Sequence, residues 1–369
     1  MIYIVAFTLS ILLMRRAEKL QMTRLCRLYL FLSATVLLFL ATFRSENVGT
    51  DVLGYQKSAF IAAQKYGSLS AFFLSGSYHV VTLEPLYLLI TYIASRFNSL
   101  AALFFLNELI VIVFTYLSIW FFRESISPSL SLSFFCFCYY LYTFSLIRQF
   151  IAVAIILYAT TWMMRGGYMK SLIIIGVACG FHYSAIFGFG IFLLFLISHG
   201  VFNQLYTRII ALAGVFISFF FRPIFIFLVS HISFLPERYV SSSYLYSEGG
   251  YNFQISRIIY ILLCILVLFL VQNYTIEEIK SYYFYMYMLL ISLFGVVIGG
   301  QSKHIYRITL YTEIISIFIF PLATKLIRQT EENTLIFTIM EYAFMISYMV
   351  FLFVIRSGHG VWPYEFAAF

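Results

Sequence analysis

Arg44, Glu46, Asp51 and Tyr55 fall within one short polar stretch, Arg44-Ser-Glu-Asn-Val-Gly-Thr-Asp-Val-Leu-Gly-Tyr55, directly after an apolar run from Leu25 to Phe43. A guanidinium, two carboxylates and a phenol at one membrane mouth could hold an anionic leaving group, take a proton from a hydroxyl and stack on a sugar. Gly49 and Gly54 let the chain turn there. Asp51 is the first choice for a general base or a sugar-hydroxyl ligand, although an Asx-turn cap would also account for it.

Glu84 precedes Pro85 and opens an apolar run, a placement suited to catalysis or simply to starting a helix. Arg148-Gln149 lies between two apolar runs, with no acid within about twenty residues on either side, so a local salt bridge is not expected. A guanidinium in that position suits a phosphate oxyanion; snorkelling to lipid headgroups is the plainer alternative. Arg307 follows Lys303 and His304 at another mouth and shares a helical face with Tyr311. Arg356 closes the last apolar run, where an arginine also serves as an anchor. His182, in Phe181-His-Tyr-Ser-Ala185, interrupts a pair of apolar runs and is, with Glu84, the second choice of base. Tyr55, Tyr87, Tyr311 and Tyr364 are candidates to stack on or hydrogen-bond a sugar. Glu108, Glu313 and Glu341 lie inside apolar runs, where they are protonated, paired with one another or aligned along a path. The sequence holds no Walker loop, dinucleotide fingerprint, HExxH or Asp-x-Asp. A nucleotide donor is therefore not expected, and neither a cofactor nor a metal is implied.

The chain that positions these residues is 63% hydrophobic and 10% charged, which excludes a soluble domain, where about a quarter of residues are charged. Apolar runs fall near residues 2–14, 25–43, 100–122, 129–147, 149–164, 171–182, 184–198, 207–235, 255–273, 282–299, 305–322 and 334–355. The expected fold is all-α, a polytopic membrane protein of about twelve transmembrane helices, within a range of about ten to fourteen. It reads as one integral membrane domain, 1–369, with an outward-facing loop at 44–99 and a second at 236–254. The first loop should hold amphipathic interfacial helices, or let 85–97 dip in as a short span. Residues 171–198 read as two half-length helices breaking at Gly180-Phe-His182, and 207–235 as a helix kinked at Arg222-Pro223. Gly166-Gly167 and Gly249-Gly250 fit turns.

Arg15, Arg16, Lys19, Arg24 and Arg27 crowd the first loop and make it cytoplasmic, which sets 44–99, Arg148, His182 and 300–304 on the outer face. The rest of the net charge of +8 is scattered at helix ends, so nucleic acid is not a partner. Met1 to Met14 lacks a basic leader and a small-residue cleavage site and reads as a first membrane helix, not a removable signal. The five cysteines sit in or beside apolar runs and read as free thiols, Cys136 and Cys138 on different helix faces with no metal site.

Taken in order, these residues resemble bacterial O-antigen and exopolysaccharide polymerases of the Wzy type, especially the EpsG-like branch. The likeness rests on Arg44 with Gly49-Thr-Asp51 and Tyr55; Glu84-Pro-Leu-Tyr87; Arg148-Gln149 followed by Ala152; Phe181-His182-x-Ser184-Ala185; Arg307 and Tyr311; and Trp362-Pro363-Tyr364-Glu-Phe366. The resemblance implies a GT-C-like enzyme of the bacterial inner membrane with its site facing the periplasm. Such an enzyme transfers a growing glycan from undecaprenyl diphosphate to the next lipid-linked repeat unit. Arg148 and Arg307, assisted by Arg44 or Arg356, would hold the diphosphate, with Asp51, Glu84 or His182 as base. The implied partners are the lipid-linked oligosaccharide, membrane lipid, a chain-length regulator and a flippase. One rival is a flippase or transporter of the same lipid, which should show related halves and charges at mid-membrane depth. A second is a membrane acyltransferase, which calls for a His deep in a helix beside a second polar residue, a poor match to His182; a third is an O-antigen ligase, which calls for a larger outer loop than 236–254.

Overall fold

The computed structural model describes residues 1–20, 23–200, 209–210, 213–214, 254–271, 276–299, 305–330 and 334–367. The expected Arg222-Pro223 kink, the Gly249-Gly250 turn, nearly all of the second outer loop, and Lys303 and His304 lie outside the described residues. Every regular element among the described residues is helical, as expected; the sole strand-like pairing among them is an isolated antiparallel bridge between Arg44 and Phe366. The chain, read from sequence as a single domain, divides into two compact units: Met1–Ile186 with Ile327–Phe369, and Phe187–Leu326.

In the first unit, α1 (Ile2–Glu18) packs on α2 (Arg24–Thr42), which the Thr23 side chain caps through the Cys26 N–H. Small hydroxyls let these helices meet: Ser10 and Ser33 are 3.0 Å apart, and Ser33 is 2.8 Å from the Tyr116 hydroxyl. After α2 the chain runs through a π-helical turn (Val52–Gln56), α3 (Lys57–Gln64), α4 (Leu69–Phe73), α5 (Tyr78–Thr82) and α6 (Pro85–Ser95). All are short; eleven residues in α6 rise only about 16 Å, too little to cross the core. Next come α7 (Leu100–Phe121), α8 (Pro128–Phe134), α9 (Ile147–Met164) and α10 (Tyr168–Phe181). α9 is the central post, 78% buried where α2 is 28% buried. α10 stops at Phe181 because His182 turns extended (φ −156°, ψ 123°), so the expected break falls where the sequence places it. The chain then passes through a 3-10 turn (Tyr183–Ile186) into α11 (Phe187–Gly200) of the second unit.

Residues 359–367 return to the end of α2 and fasten it. Gly49 N–H donates to the Gly360 carbonyl (2.8 Å), Ser45 N–H to the Glu365 carbonyl (2.8 Å) and Ala367 N–H to the Phe43 carbonyl (2.9 Å). Gly49 has φ +102°, and a Cβ there would collide with the Phe144 carbonyl, so this corner needs glycine.

The second unit holds α11 and the helices Ile255–Val271, Ile276–Gly299, Ile305–Ile308 and Leu310–Glu313, with most of Ser316–Thr330. Five described helical stretches are long and apolar enough to cross a membrane: Arg24–Thr42, Leu100–Phe121, Ile147–Met164, Ser281–Gly299 and Leu335–Ile355. Four shorter apolar helices accompany them. The expected count of about twelve is not reached among the described residues, partly because two expected spans are irregular. Run 129–147 changes pitch from α8 to a π turn (Phe135–Tyr139) and a 3-10 turn (Tyr140–Phe144), and run 305–322 is cut into three helices.

Candidate active site

Glu84 organises the site. It stands at the head of α6, where its carbonyl accepts the Leu88 N–H at 3.0 Å, but its side chain does not cap the helix. Starting a helix therefore leaves the carboxylate unexplained. One oxygen, Oε2, accepts from Arg148 Nη1; the other, Oε1, lies 2.8 Å from His182 Nδ1 and accepts the Tyr183 N–H at 3.2 Å. Burial alone would raise the Glu84 pKa, but the hydrogen bond to His182 and the charge of Arg148 hold it below the usual carboxylate range.

Arg148 occupies the first turn of α9, where a cation faces the positive end of the helix dipole and needs a counter-charge. No acid near in sequence supplies one, as expected; the correction is that Glu84 arrives from 64 residues away. The guanidinium also lies 4.5 Å over the Tyr55 ring, and its Nε, buried, meets no acceptor among the described residues. His182 hangs from the break after α10, its side chain 26% exposed while that of Glu84 is 2% exposed. The π turn delivers Tyr55, whose hydroxyl donates to Asp51 Oδ2 at 3.0 Å. Burial, reinforced by the Asp51 charge, keeps the Tyr55 phenol protonated. Tyr87 closes the group, its ring edge-on to Tyr55 at 6.0 Å.

Six of the candidate residues thus meet: Asp51, Tyr55, Glu84, Tyr87, Arg148 and His182. The family model named EpsG family matches residues 27–366, a span that contains all six. The chain belongs to the EpsG family. This is a family of Wzy-like polymerases, so the chain is a membrane protein with a role of the polysaccharide-polymerase kind. Comparison with curated proteins gives no match, and neither does comparison with solved structures.

Other candidates of this EpsG chain make other contacts. Arg44 is 2% exposed, its guanidinium 4.1 Å from the Phe104 ring and 4.3 Å from Phe144, with Nη1 donating to the Ala41 carbonyl. It packs the end of α2, and none of these contacts reaches Glu84 or Arg148. The Tyr364 hydroxyl donates to the Leu40 carbonyl at 2.9 Å, a tie of the returning segment. Arg356 is exposed beside Phe351, as an anchor would be. Arg307 and Tyr311 belong to the second unit, where the buried Tyr311 lines an apolar cavity of about 460 Å³. The intramembrane acids find separate partners: Glu108 accepts from Thr143 at 2.9 Å, and Glu313 pairs with Arg257. Among the described residues no cluster of three metal-ligating side chains occurs.

Sequence reasoning missed Gln56 and Asn107, both buried near Tyr87. Asn107 had a usable signal, an amide within an apolar run.

The arrangement suits charge stabilisation and proton transfer. Glu84 holds Arg148 with one oxygen and His182 Nδ1 with the other, so Nε2 is the ring nitrogen that Glu84 does not engage. The N-terminus of α9 adds its own attraction for an anion.

Proposed function

We propose that this chain polymerises lipid-linked oligosaccharide repeat units at the outer face of the cytoplasmic membrane. The growing glycan passes from a polyprenyl diphosphate to a hydroxyl of the next lipid-linked unit. The observation that carries this reading is the Glu84 carboxylate shared between Arg148 and His182, beside Tyr55 and Asp51.

In the reaction, the acceptor hydroxyl oxygen attacks the anomeric carbon while the bond to the diphosphate oxygen breaks, and that electron pair leaves with the diphosphate. Arg148 meets the departing charge with the donors that Glu84 does not use, an electrostatic device that needs no reorganisation during the reaction. His182 takes the hydroxyl proton at Nε2. Glu84, bonded to Nδ1, orients the ring and stabilises the imidazolium that forms. His182 thereby replaces Asp51 as first choice of base, since Asp51 accepts the Tyr55 hydroxyl and holds the aromatic wall under Arg148. A single in-line step inverts the anomeric centre.

The test is reconstitution. Purified protein in lipid receives polyprenyl-diphosphate-linked repeat units, with no nucleotide sugar. A ladder of chains with release of polyprenyl diphosphate is the expected result. Passage of labelled lipid across the bilayer without a ladder would replace the polymerase reading with a flippase.

A further inference from the structure

Beside the Arg148 cluster lies a group of side chains that the reaction above does not use. Gln56 ends the π turn, Tyr87 lies on α6 and Asn107 on α7; they are 0%, 0% and 3% exposed. The Tyr87 hydroxyl faces both carboxamides. Yet Gln56 Oε1 and Nε2, Tyr87 Oη, and Asn107 Oδ1 and Nδ2 all lack a partner in hydrogen-bond geometry among the described residues. Buried polar atoms are nearly always paired, so a concentration of unpaired ones demands a reason.

Their chemistry narrows the reason. Each carboxamide offers donors and an acceptor, and the phenol offers either. No member of the trio is charged, so the set matches the hydroxyls of a neutral sugar better than a phosphate, which favours cationic donors. The trio is also continuous with the site. The Tyr87 ring lies 6.0 Å from that of Tyr55 and 5.9 Å from the Arg148 guanidinium carbon. Arg148 and His182, with side chains 19% and 26% exposed, are the partly exposed members of this neighbourhood, and Gln56, Tyr87 and Asn107 its buried ones.

We propose that Gln56, Tyr87 and Asn107, brought together from three elements beside Arg148, form a neutral hydroxyl-reading subsite that selects the sugar carried by the lipid diphosphate. This rests on the polymerase reading. A site built to hydrogen-bond hydroxyls discriminates strongly, because a ligand lacking them leaves the buried groups unpaired.

The same unpaired state gives the test its edge. Replacing an unpaired buried polar group with an apolar one of similar shape leaves a fold as stable or more so. The variants are Gln56→Met, Asn107→Leu and Tyr87→Phe, the last removing a single oxygen. Each is prepared as the full chain in lipid nanodiscs and titrated with two probes: bare polyprenyl diphosphate, and the same lipid bearing a repeat-unit oligosaccharide. The wild-type chain is expected to bind the glycan-bearing probe more tightly. Each variant should cut that preference at least about tenfold and melt no lower than wild type, and Gln56→Met and Asn107→Leu should hold affinity for the bare lipid within about twofold. A preference retained in all three variants overturns the subsite. So does a matched loss for both probes with a lower melting temperature, which would make the trio a support of the fold. A wild-type chain that binds neither probe defeats the polymerase reading, and the subsite falls with it.

Discussion

Among the described residues, two arginine ion pairs have a buried carboxylate, one in each unit, and they differ in how the arginine is enclosed. In the second unit Arg257 and Glu313 are sealed, their side chains 1% and 0% exposed. Arg257 spends its donors inside the protein: Nε on Glu313, Nη2 on Glu313 and on the Thr309 hydroxyl at 2.7 Å, and Nη1 on Gln254 at 3.2 Å. In the first unit Arg148 has one ion-pair partner, an aromatic wall, an Nε without an acceptor among the described residues, and a side chain 19% exposed. A saturated, enclosed pair is a strut. A pair with spare donors and an open side can receive a ligand. What separates the two is accessibility and unspent hydrogen bonds, since the charges are the same.

The largest expected effect tests the strut. Arg257→Met strands the Glu313 charge and should cost about 3–5 kcal/mol, while the Arg257→Met/Glu313→Leu double variant regains most of it. Thermal unfolding in detergent reads this out, and a double variant no better than the single would refute the strut. Next is Arg148→Ala, expected to slow polymerisation by about 10²–10³-fold with the protein still folded and inserted. Polymer formation at the wild-type rate would remove Arg148 from the site.

The pH dependence follows from Glu84. Its folded pKa is depressed, so its contribution is complete above the unfolded value of about 4.3 and is lost as pH falls through the folded one. Melting temperature should therefore drop below about pH 4.3 in the wild type and drop less in Glu84→Gln. Parallel curves would show that the carboxylate is not held as described. The smallest effect belongs to the exposed pair Lys57–Glu46, whose side chains are 41% and 42% exposed. Glu46→Gln should change stability by about 0–1 kcal/mol and leave the polymer ladder intact. A large loss there would break the rule drawn from the buried pairs.

Much of this was legible in the sequence. Arg148 and His182 stood out as polar breaks in apolar runs, and the end of α10 at Phe181 follows from that pattern. The partners were not legible. Periodicity tells which face of a helix is polar, not which distant helix will meet it, so neither the Glu84–Arg148 nor the Arg257–Glu313 pairing could be read. Arg44 shows the reverse problem. At the end of a span, an arginine that turns inward between Phe104 and Phe144 has the same local sequence as one that turns outward to a ligand. The irregular run 129–147 escaped notice because π and 3-10 turns preserve hydrophobicity while changing pitch, and 305–322 because its breaks at Thr309 and Ile314-Ile315 carry neither glycine nor proline.

The return of residues 359–367 to the corner at Gly49 sets a schedule for biogenesis. Asp51 and Tyr55 emerge early in translation, but the backbone groups that fasten their corner are made roughly three hundred residues later. At about 5–20 residues per second, that is a wait of roughly a quarter of a minute to a minute. Through that interval the corner after α2 lacks the bonds from Gly360 and Glu365. Chains halted at residue 358 are expected to expose this corner to added protease where the full chain protects it. The corner that carries Asp51 and Tyr55 is thereby completed only after the helix Leu335–Ile355 has been made.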